Sequence, residues 1–199
     1  MPQIKFVLKL IIVFTLILIF YGCPTPCGEM QINTVSPIAD SILNYIPYHN
    51  GDEVILEHSA GTKIIFNAER ESKTEISYCD RCCDSWEYHF DRTVLTPNYP
   101  IHPIVFELVK YEENYSDFNV TVGISTFRFP TYDLSALVVD SILINNKMYF
   151  SVFTLKAAPN ENYYGEEFAF FADSLYYNSE FGILKLTMSN NEYYLRDEN

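Results

Sequence analysis

The sequence predicts an all-β fold: an antiparallel sandwich or open barrel of about ten to twelve short strands, preceded by an N-terminal signal segment. Apolar and polar residues alternate with a period of two over many short runs, as they do in half-buried strands. Turn-forming residues separate these runs at tight spacing, and no helical stripe persists for three turns. Sixteen Tyr and fifteen Phe against seven Gly favour a sheet and argue against disorder.

The first 22 residues are predicted to be a lipoprotein signal peptide. Lys5 and Lys9 give a positive start, and the uncharged run 10–21 is shorter than the roughly 20 residues of a membrane span. The chain has no Ala before position 39, so an A-x-A-like cleavage site is missing. Gly22-Cys23 instead resembles a bacterial lipobox, in which Cys23 receives palmitate and becomes the new N-terminus. Phe20 and Tyr21 depart from that motif, which leaves an uncleaved N-terminal anchor as the alternative.

The rest of the chain is predicted to form a tether, residues 23–37, and a single β-rich domain, residues 38–199. Pro24-Thr25-Pro26 cannot be helical and suits a stem. Removing residues 1–22 removes two lysines and no acids, so the mature charge is 11 − 26 = −15. Such a surface repels phosphate backbones, which argues against nucleic acid as a partner. Attachment to a membrane would then depend on the lipid at the N-terminus.

Strands are predicted where apolar runs meet turn residues. Two hairpins stand out, one around Ser59-Ala60-Gly61 and one around Asn145-Asn146, because Gly and Asn tolerate positive φ. The pairs Ile42-Leu43 and Tyr45-Ile46 are predicted to form either a first strand or a short helical turn. The predicted strands are 53–58, 62–67, 86–96, 104–111, 118–127, 136–139, 141–144, 147–154, 168–177, 182–188 and 193–196.

Two stretches of the C-terminal third carry a resemblance. Residues 140–150, DSILINNKMYF, and 172–185, ADSLYYNSEFGILK, are similar to a D-S-[VI]-x-I-N-G-K-x-Y hairpin and a Y-x-x-x-[YF]-G-I-[LI]-K ending. These patterns resemble small uncharacterised lipoproteins of Bacteroidota, with Asn146 in place of the usual turn Gly. The resemblance implies a location and a fold but no activity.

The implied location is the bacterial cell envelope, with the protein lipid-anchored to a membrane, the outer membrane by expectation. Some lipoproteins of that group reach the cell surface through an acidic run after the lipidated cysteine. Only Glu29 lies near Cys23 here, which favours the periplasmic face without deciding between the two.

Cysteines form the one dense cluster of reactive residues, in Cys79-Asp-Arg-Cys82-Cys83. With Cys23 lipidated, Cys27 joins these three as disulfide candidates, and four cysteines allow three pairings. Adjacent cysteines pair only through a strained ring, so the sequence predicts two disulfides, at least one of them involving Cys27.

Two other uses of this cluster are weaker. A zinc site at Cys79, Cys82, Cys83 and His89 would lack a second knuckle, and a thioredoxin-like redox pair would lack its helix. No metal or cofactor site is therefore predicted.

No catalytic motif is present, and acid pairs such as Glu112-Glu113 and Glu166-Glu167 lie in polar turns. The sequence favours a lipid-anchored envelope protein with a non-enzymatic binding or scaffolding role, its protein or glycan partner unknown. One alternative is a periplasmic carrier of an apolar ligand, which a wide cavity lined by Phe, Tyr and Leu would favour and a filled core would disfavour. Another is a hydrolase with two carboxylates about 5–10 Å apart in a cleft.

Overall fold

The computed structural model describes residues 31–78, 84–112, 115–129, 138–158 and 171–197. The chain divides into a smaller unit, residues 1–33 and 77–86, and a larger unit, residues 34–76 and 87–199. In the smaller unit, strand β1 (Gln31–Asn33) pairs in parallel with the start of β4, with Gln31 opposite Asp84 and Asn33 opposite Trp86.

The described residues are almost entirely strand, which confirms the all-β prediction. Their single helix, α1 (Asp40–Leu43), is one turn long and resolves the ambiguity over residues 42–46. The sheet order is β7-β6-β5-β4-β3-β2-β12-β11-β10-β9-β8, and each pair whose register is defined along it is antiparallel. The further strands are β2 (Glu53–His58), β3 (Lys63–Tyr78), β4 (Asp84–Pro97), β5 (Ile104–Glu112), β6 (Tyr115–Val122), β7 (Ser125–Phe129), β8 (Val138–Ile144), β9 (Lys147–Lys156), β10 (Ala172–Asn178), β11 (Gly182–Met188) and β12 (Tyr193–Arg196).

Both predicted hairpins are confirmed. Asn145 and Asn146 adopt φ of 50° and 63° and connect β8 to β9 by a two-residue turn, as two positive φ values allow. Gly61 adopts a φ of 84° between β2 and β3.

The prediction of one strand over residues 118–127 is wrong. Gly123 has a φ of 58°, and the chain reverses there between β6 and β7. Val122 and Ser125 consequently face each other across a tight turn. Apolar and polar residues continue to alternate through the turn, so the pattern does not reveal it. Gly123 was the one sequence signal of the chain reversal.

The sheet of the larger unit curls until β7 reaches β9 and β10. The backbone N–H of Ala158, just past β9, donates to the carbonyl of Thr126 at 2.8 Å. The ring of Phe129 on β7 lies 5.8 Å from that of Phe153 and 5.4 Å from that of Tyr177. This unit is therefore an open barrel, within the predicted fold class.

The alternation predicted from the sequence appears in the core of this barrel. On β5 the buried residues Ile104, Phe106 and Leu108 alternate with partly exposed ones. Aromatic rings fill the middle, where Phe106 lies 5.2 Å from Tyr48 and 5.8 Å from Tyr177 between ring centroids. The described part of the barrel's middle is thus a packed aromatic core.

One end of the barrel, the closed end, is covered by residues 34–50, which we term the plug segment. Its Ile46 and Tyr48 side chains are buried in the core. The Tyr48 hydroxyl accepts a hydrogen bond from the Ile183 N–H at 2.7 Å, and burial raises the Tyr48 pKa to about 12. Gly182 makes this possible, since a Cβ there would lie 1.9 Å from the Tyr48 oxygen.

An ion pair fixes the plug segment to β3 and β4. The Arg70 guanidinium donates to the buried Asp91 carboxylate through Nε at 3.0 Å. It also donates to three carbonyls of the plug segment, those of Leu43 at 3.2 Å, Ile46 at 3.0 Å and Tyr48 at 3.4 Å. One side chain therefore neutralises an inward-facing charge and satisfies backbone acceptors just after α1.

Candidate functional site

The opposite end of the barrel, the open end, holds a cavity of about 420 Å³ that we term the end pocket. Its described walls come from four strands of one half of the sheet (β2, β3, β5 and β6), two strands of the other half (β11 and β12), and the loop between β4 and β5. The lining residues are Leu56, Phe66, Pro100, Ile101, His102, Ile104, Val122, Leu186, Met188 and Tyr194.

The floor of the end pocket is apolar. Leu56, Phe66, Ile104 and Leu186 are almost fully buried, and they come from β2, β3, β5 and β11. They face inward because each strand alternates and the sheet curls around them. None of the described lining residues is Lys, Arg, Asp or Glu.

The loop between β4 and β5 lies across one side of the opening. Asn98 fixes its start, since its backbone N–H donates to the Ile65 carbonyl at 2.8 Å and its side-chain oxygen accepts from the Ile65 N–H at 3.1 Å. The predicted proline loop therefore has a defined conformation at Asn98. It places Ile101 against the core.

His102 occupies a position that only glycine at residue 123 permits. A Cβ on Gly123 would lie 2.9 Å from His102 Cδ2, closer than real Cβ contacts come. The imidazole therefore lies against the β6–β7 turn at the rim of the end pocket. It is one of two lining side chains that can make hydrogen bonds.

Tyr194 is the other, and it belongs to β12. Its ring lies 4.9 Å from that of His58 on β2, directly opposite in the register. Burial, and then the neighbouring charge of Glu192, raise the pKa of Tyr194, so its hydroxyl keeps its proton at neutral pH. Glu192 itself lies 3.6 Å from the His58 imidazole.

A groove on β3 and β4 carries two glutamates. It has a volume of about 390 Å³ and includes Glu69, Glu71 and Arg92. Both glutamates are exposed. Water therefore solvates both carboxylates, as it does other charges on the surface of a protein.

An exposed apolar surface lies on the β8–β9 hairpin. Leu143 stands opposite Met148, and Phe150 follows on the same face two residues along. Leu143 is 61% exposed and Phe150 66% exposed. The other face of the hairpin packs Ile144 and Tyr149 on Leu184.

The site residues predicted from the sequence lie outside the described residues. This holds for the signal peptide 1–22, for Cys23, and for the disulfide candidates Cys27, Cys79, Cys82 and Cys83. Their lipidation and pairing stay predictions, as does the division into residues 1–22, 23–37 and 38–199. Across the described ranges, no group of three or more His, Cys, Asp and Glu is placed to hold a metal, and no helix has the length and apolarity to cross a membrane.

His89, the fourth candidate ligand of the zinc alternative, is described and has structural partners. Its Nδ1 lies 3.0 Å from the Thr74 hydroxyl and its Nε2 lies 3.1 Å from the Val35 carbonyl. Both ring nitrogens are therefore engaged in connecting β3, β4 and the plug segment.

Sequence reasoning did not single out the end pocket. Its members look like ordinary core residues, because each lies at an inward position of its own strand. The available signal was the proline-bounded loop 97–103, which carries one histidine next to an isoleucine.

Comparison with family models, with curated proteins and with solved structures finds no match to this chain.

Proposed function

We propose that this chain is a lipid-anchored cell-envelope protein with a non-enzymatic role, and that it binds a small apolar ligand in the end pocket. The observation that carries the proposal is the end pocket itself, a cavity of about 420 Å³ with a buried apolar floor. Ligand sites in proteins are concave, mostly apolar and about 300–1,000 Å³ in volume, and they occur in the mouths of β-barrels. The packed middle of the barrel limits the ligand to this end.

The arrangement of the pocket supports binding and not catalysis. Its floor is hydrocarbon and aromatic, from Leu56, Phe66 and Leu186. Among the lining residues that the structure describes, His102 and Tyr194 are the two with hydrogen-bonding side chains, and no carboxylate or nucleophilic serine, threonine or cysteine accompanies them. Burying apolar surface here would contribute about 25 cal/mol for each Å² removed from water.

Anchoring through Cys23 would place the end pocket close to a membrane, where apolar molecules are concentrated. The acidic surface, with a formal charge of −13 for the whole chain, gives no electrostatic attraction to anionic lipids. Membrane association would therefore depend on the acyl chain.

Lipidation is tested by metabolic labelling. Labelled palmitate should enter the wild-type protein and not a Cys23→Ser variant, and equal labelling of the two would contradict lipidation at Cys23.

Ligand binding is tested with N-phenyl-1-naphthylamine, an uncharged aromatic probe. The full chain is held in lipid nanodiscs, and bound probe is measured by equilibrium dialysis with empty nanodiscs subtracted. We expect saturable binding to the wild type, and binding at least about tenfold weaker to Val122→Trp, whose ring would fill the pocket.

Leu143→Trp is the matched control, because it adds an indole to the exposed face of the hairpin. Its affinity should equal that of the wild type. Equal binding by Val122→Trp, or no saturable binding by the wild type, would contradict the proposal.

A further inference from the structure

The charges around the end pocket indicate what kind of molecule it takes, provided that the pocket binds a ligand as proposed above. We infer that the ligand is uncharged and amphiphilic, with an apolar body on the floor of the pocket and a neutral hydrogen-bonding head at Tyr194. Long-chain alcohols, esters and amides belong to this class; fatty acids and alkylamines do not.

The first argument is the absence of a counter-charge. No Lys, Arg, Asp or Glu is among the ten lining residues that the structure describes. An ammonium drawn into the pocket would lose water and meet no described carboxylate, and a carboxylate would lose water and meet no described lysine or arginine, which is costly in an apolar site. A hydroxyl or ester head group would lose far less hydration free energy on entering the pocket.

Two cationic or basic side chains of β2 and β3 each lie beside a carboxylate. Lys63, at the start of β3, forms an ion pair with Asp197, just after β12. His58 pairs with Glu192 at 3.6 Å. Neither Lys63 nor His58 is therefore left to attract an anion to the opening.

The acidic character of the chain also disfavours an anionic ligand. Glu192 stands beside both His58 and Tyr194, and its charge contributes to the raised pKa of the Tyr194 phenol. The chain as a whole carries a formal charge of −13. A fatty acid whose carboxylate stayed at the opening would face this field.

Tyr194 is suited to a neutral head group. Its raised pKa means that the phenol remains protonated, so it can donate to a carbonyl or hydroxyl oxygen and accept from a hydroxyl. It lies on the inward side of β12, packed against the main core, while its neighbour Leu195 packs against the smaller cluster with Leu184. The head group would then lie between β12 and the β4–β5 loop.

Three ligands that share one chain test the inference: decan-1-ol, decanoate and decylammonium. Each is titrated by equilibrium dialysis at about pH 8, where the carboxylate and the ammonium are both charged. The full chain in nanodiscs is used, the free ligand concentration is measured directly, and empty nanodiscs are subtracted. We expect decan-1-ol to bind at least about tenfold more tightly than either charged analogue.

Tyr194→Phe tests the head-group contact. The substitution should weaken the binding of decan-1-ol by about threefold to tenfold, as the loss of one neutral hydrogen bond would, and leave the binding of N-phenyl-1-naphthylamine unchanged.

Equal or tighter binding of decanoate or decylammonium would overturn the inference while the proposed function stood. Failure of all three ligands and of the naphthylamine would overturn both, and an unchanged decan-1-ol affinity in Tyr194→Phe would remove Tyr194 as the head-group contact.

Discussion

The two ends of the barrel are formed by the same strands but differ in how their inward positions are occupied. At the closed end, Tyr48 enters the core and Arg70 pairs with Asp91 beneath the plug segment. At the open end, the side chains of Phe66 and Leu186 line a cavity of about 420 Å³. No segment of the described chain crosses that cavity as residues 34–50 cross the other end. The difference separates a part of the molecule that stabilises the fold from a part that is free to bind.

Removal of Arg70 should have the largest effect, because Asp91 would remain buried without its partner. Arg70→Met should lower the free energy of unfolding by about 3–5 kcal/mol, measured by urea denaturation. Lys156→Met is the control: its ion pair with Asp173 at 2.7 Å is exposed, so about 0–1 kcal/mol is expected. Similar losses in the two variants would mean that Arg70 does not hold the closed end.

Alkaline pH should weaken the closed end through Tyr48. Its pKa is about 12 in the folded protein against an ordinary 10.0, so the folded state holds a proton that the unfolded state has released. Stability from this group is complete below pH 10 and is lost between pH 10 and 12, by about 1.4 kcal/mol per pH unit. Tyr177, whose pKa is also raised by burial, acts in the same direction.

The measurement is a series of urea unfolding curves at increasing alkaline pH. Tyr48→Phe should reduce the loss of unfolding free energy between pH 10 and 12, because the titrating hydroxyl is gone. Tyr99→Phe, at an exposed tyrosine, should leave that loss unchanged. An identical pH dependence in wild type and Tyr48→Phe would contradict the assignment.

Two glycines with similar backbone angles allow the cost of backbone strain to be distinguished from the cost of a side-chain clash. Gly61→Ala, at a φ of 84° in open space, should cost about 1–2 kcal/mol from backbone strain alone. Gly182→Ala, at a φ of 77°, should cost about 1–3 kcal/mol more, because its Cβ would displace Tyr48. Thermal unfolding of both variants checks the difference, and equal losses would show that the Tyr48 contact is easily given up.

The open end should tolerate added volume that the closed end rejects. Val122→Phe places its extra carbons in the end pocket and should change the free energy of unfolding by less than about 1 kcal/mol. Ala68→Val, at a buried inward position on β3, should cost about 1–3 kcal/mol by overpacking. Chemical denaturation of the two variants is the measurement. A loss for Val122→Phe as large as that for Ala68→Val would indicate that the open end is packed after all.

The sequence was informative where burial follows local alternation. Ile104, Phe106 and Leu108 are apolar at every second position, and the strand predicted there matches β5 closely. The two-asparagine turn was equally local. Interactions that depend on distant partners were not visible. Residues 68–75 of β3 are strongly polar, and their place in the sheet depends in part on Arg70 meeting Asp91, which lies 21 residues away in the chain.

The end pocket was hidden for the same reason. Leu56, Val122 and Leu186 are separated by more than 60 residues from one another, and only the curl of the sheet brings them to one end. A cavity is also a matter of what is absent between side chains, and no residue type marks it. The break at Gly123 contributes, since it ends β6 at the rim and gives His102 its position.

Methionine methyl resonances test the central claim most directly, because one methionine lies in the end pocket and another on the outside of the hairpin. The full chain, labelled with [¹³C-methyl]methionine and held in nanodiscs, is titrated with N-phenyl-1-naphthylamine, with Met188→Leu and Met148→Leu for assignment. We predict that the Met188 resonance shifts in a saturable manner while that of Met148 remains in place. A saturable shift of Met148 without Met188, or no shift of either, would contradict a binding site at the open end.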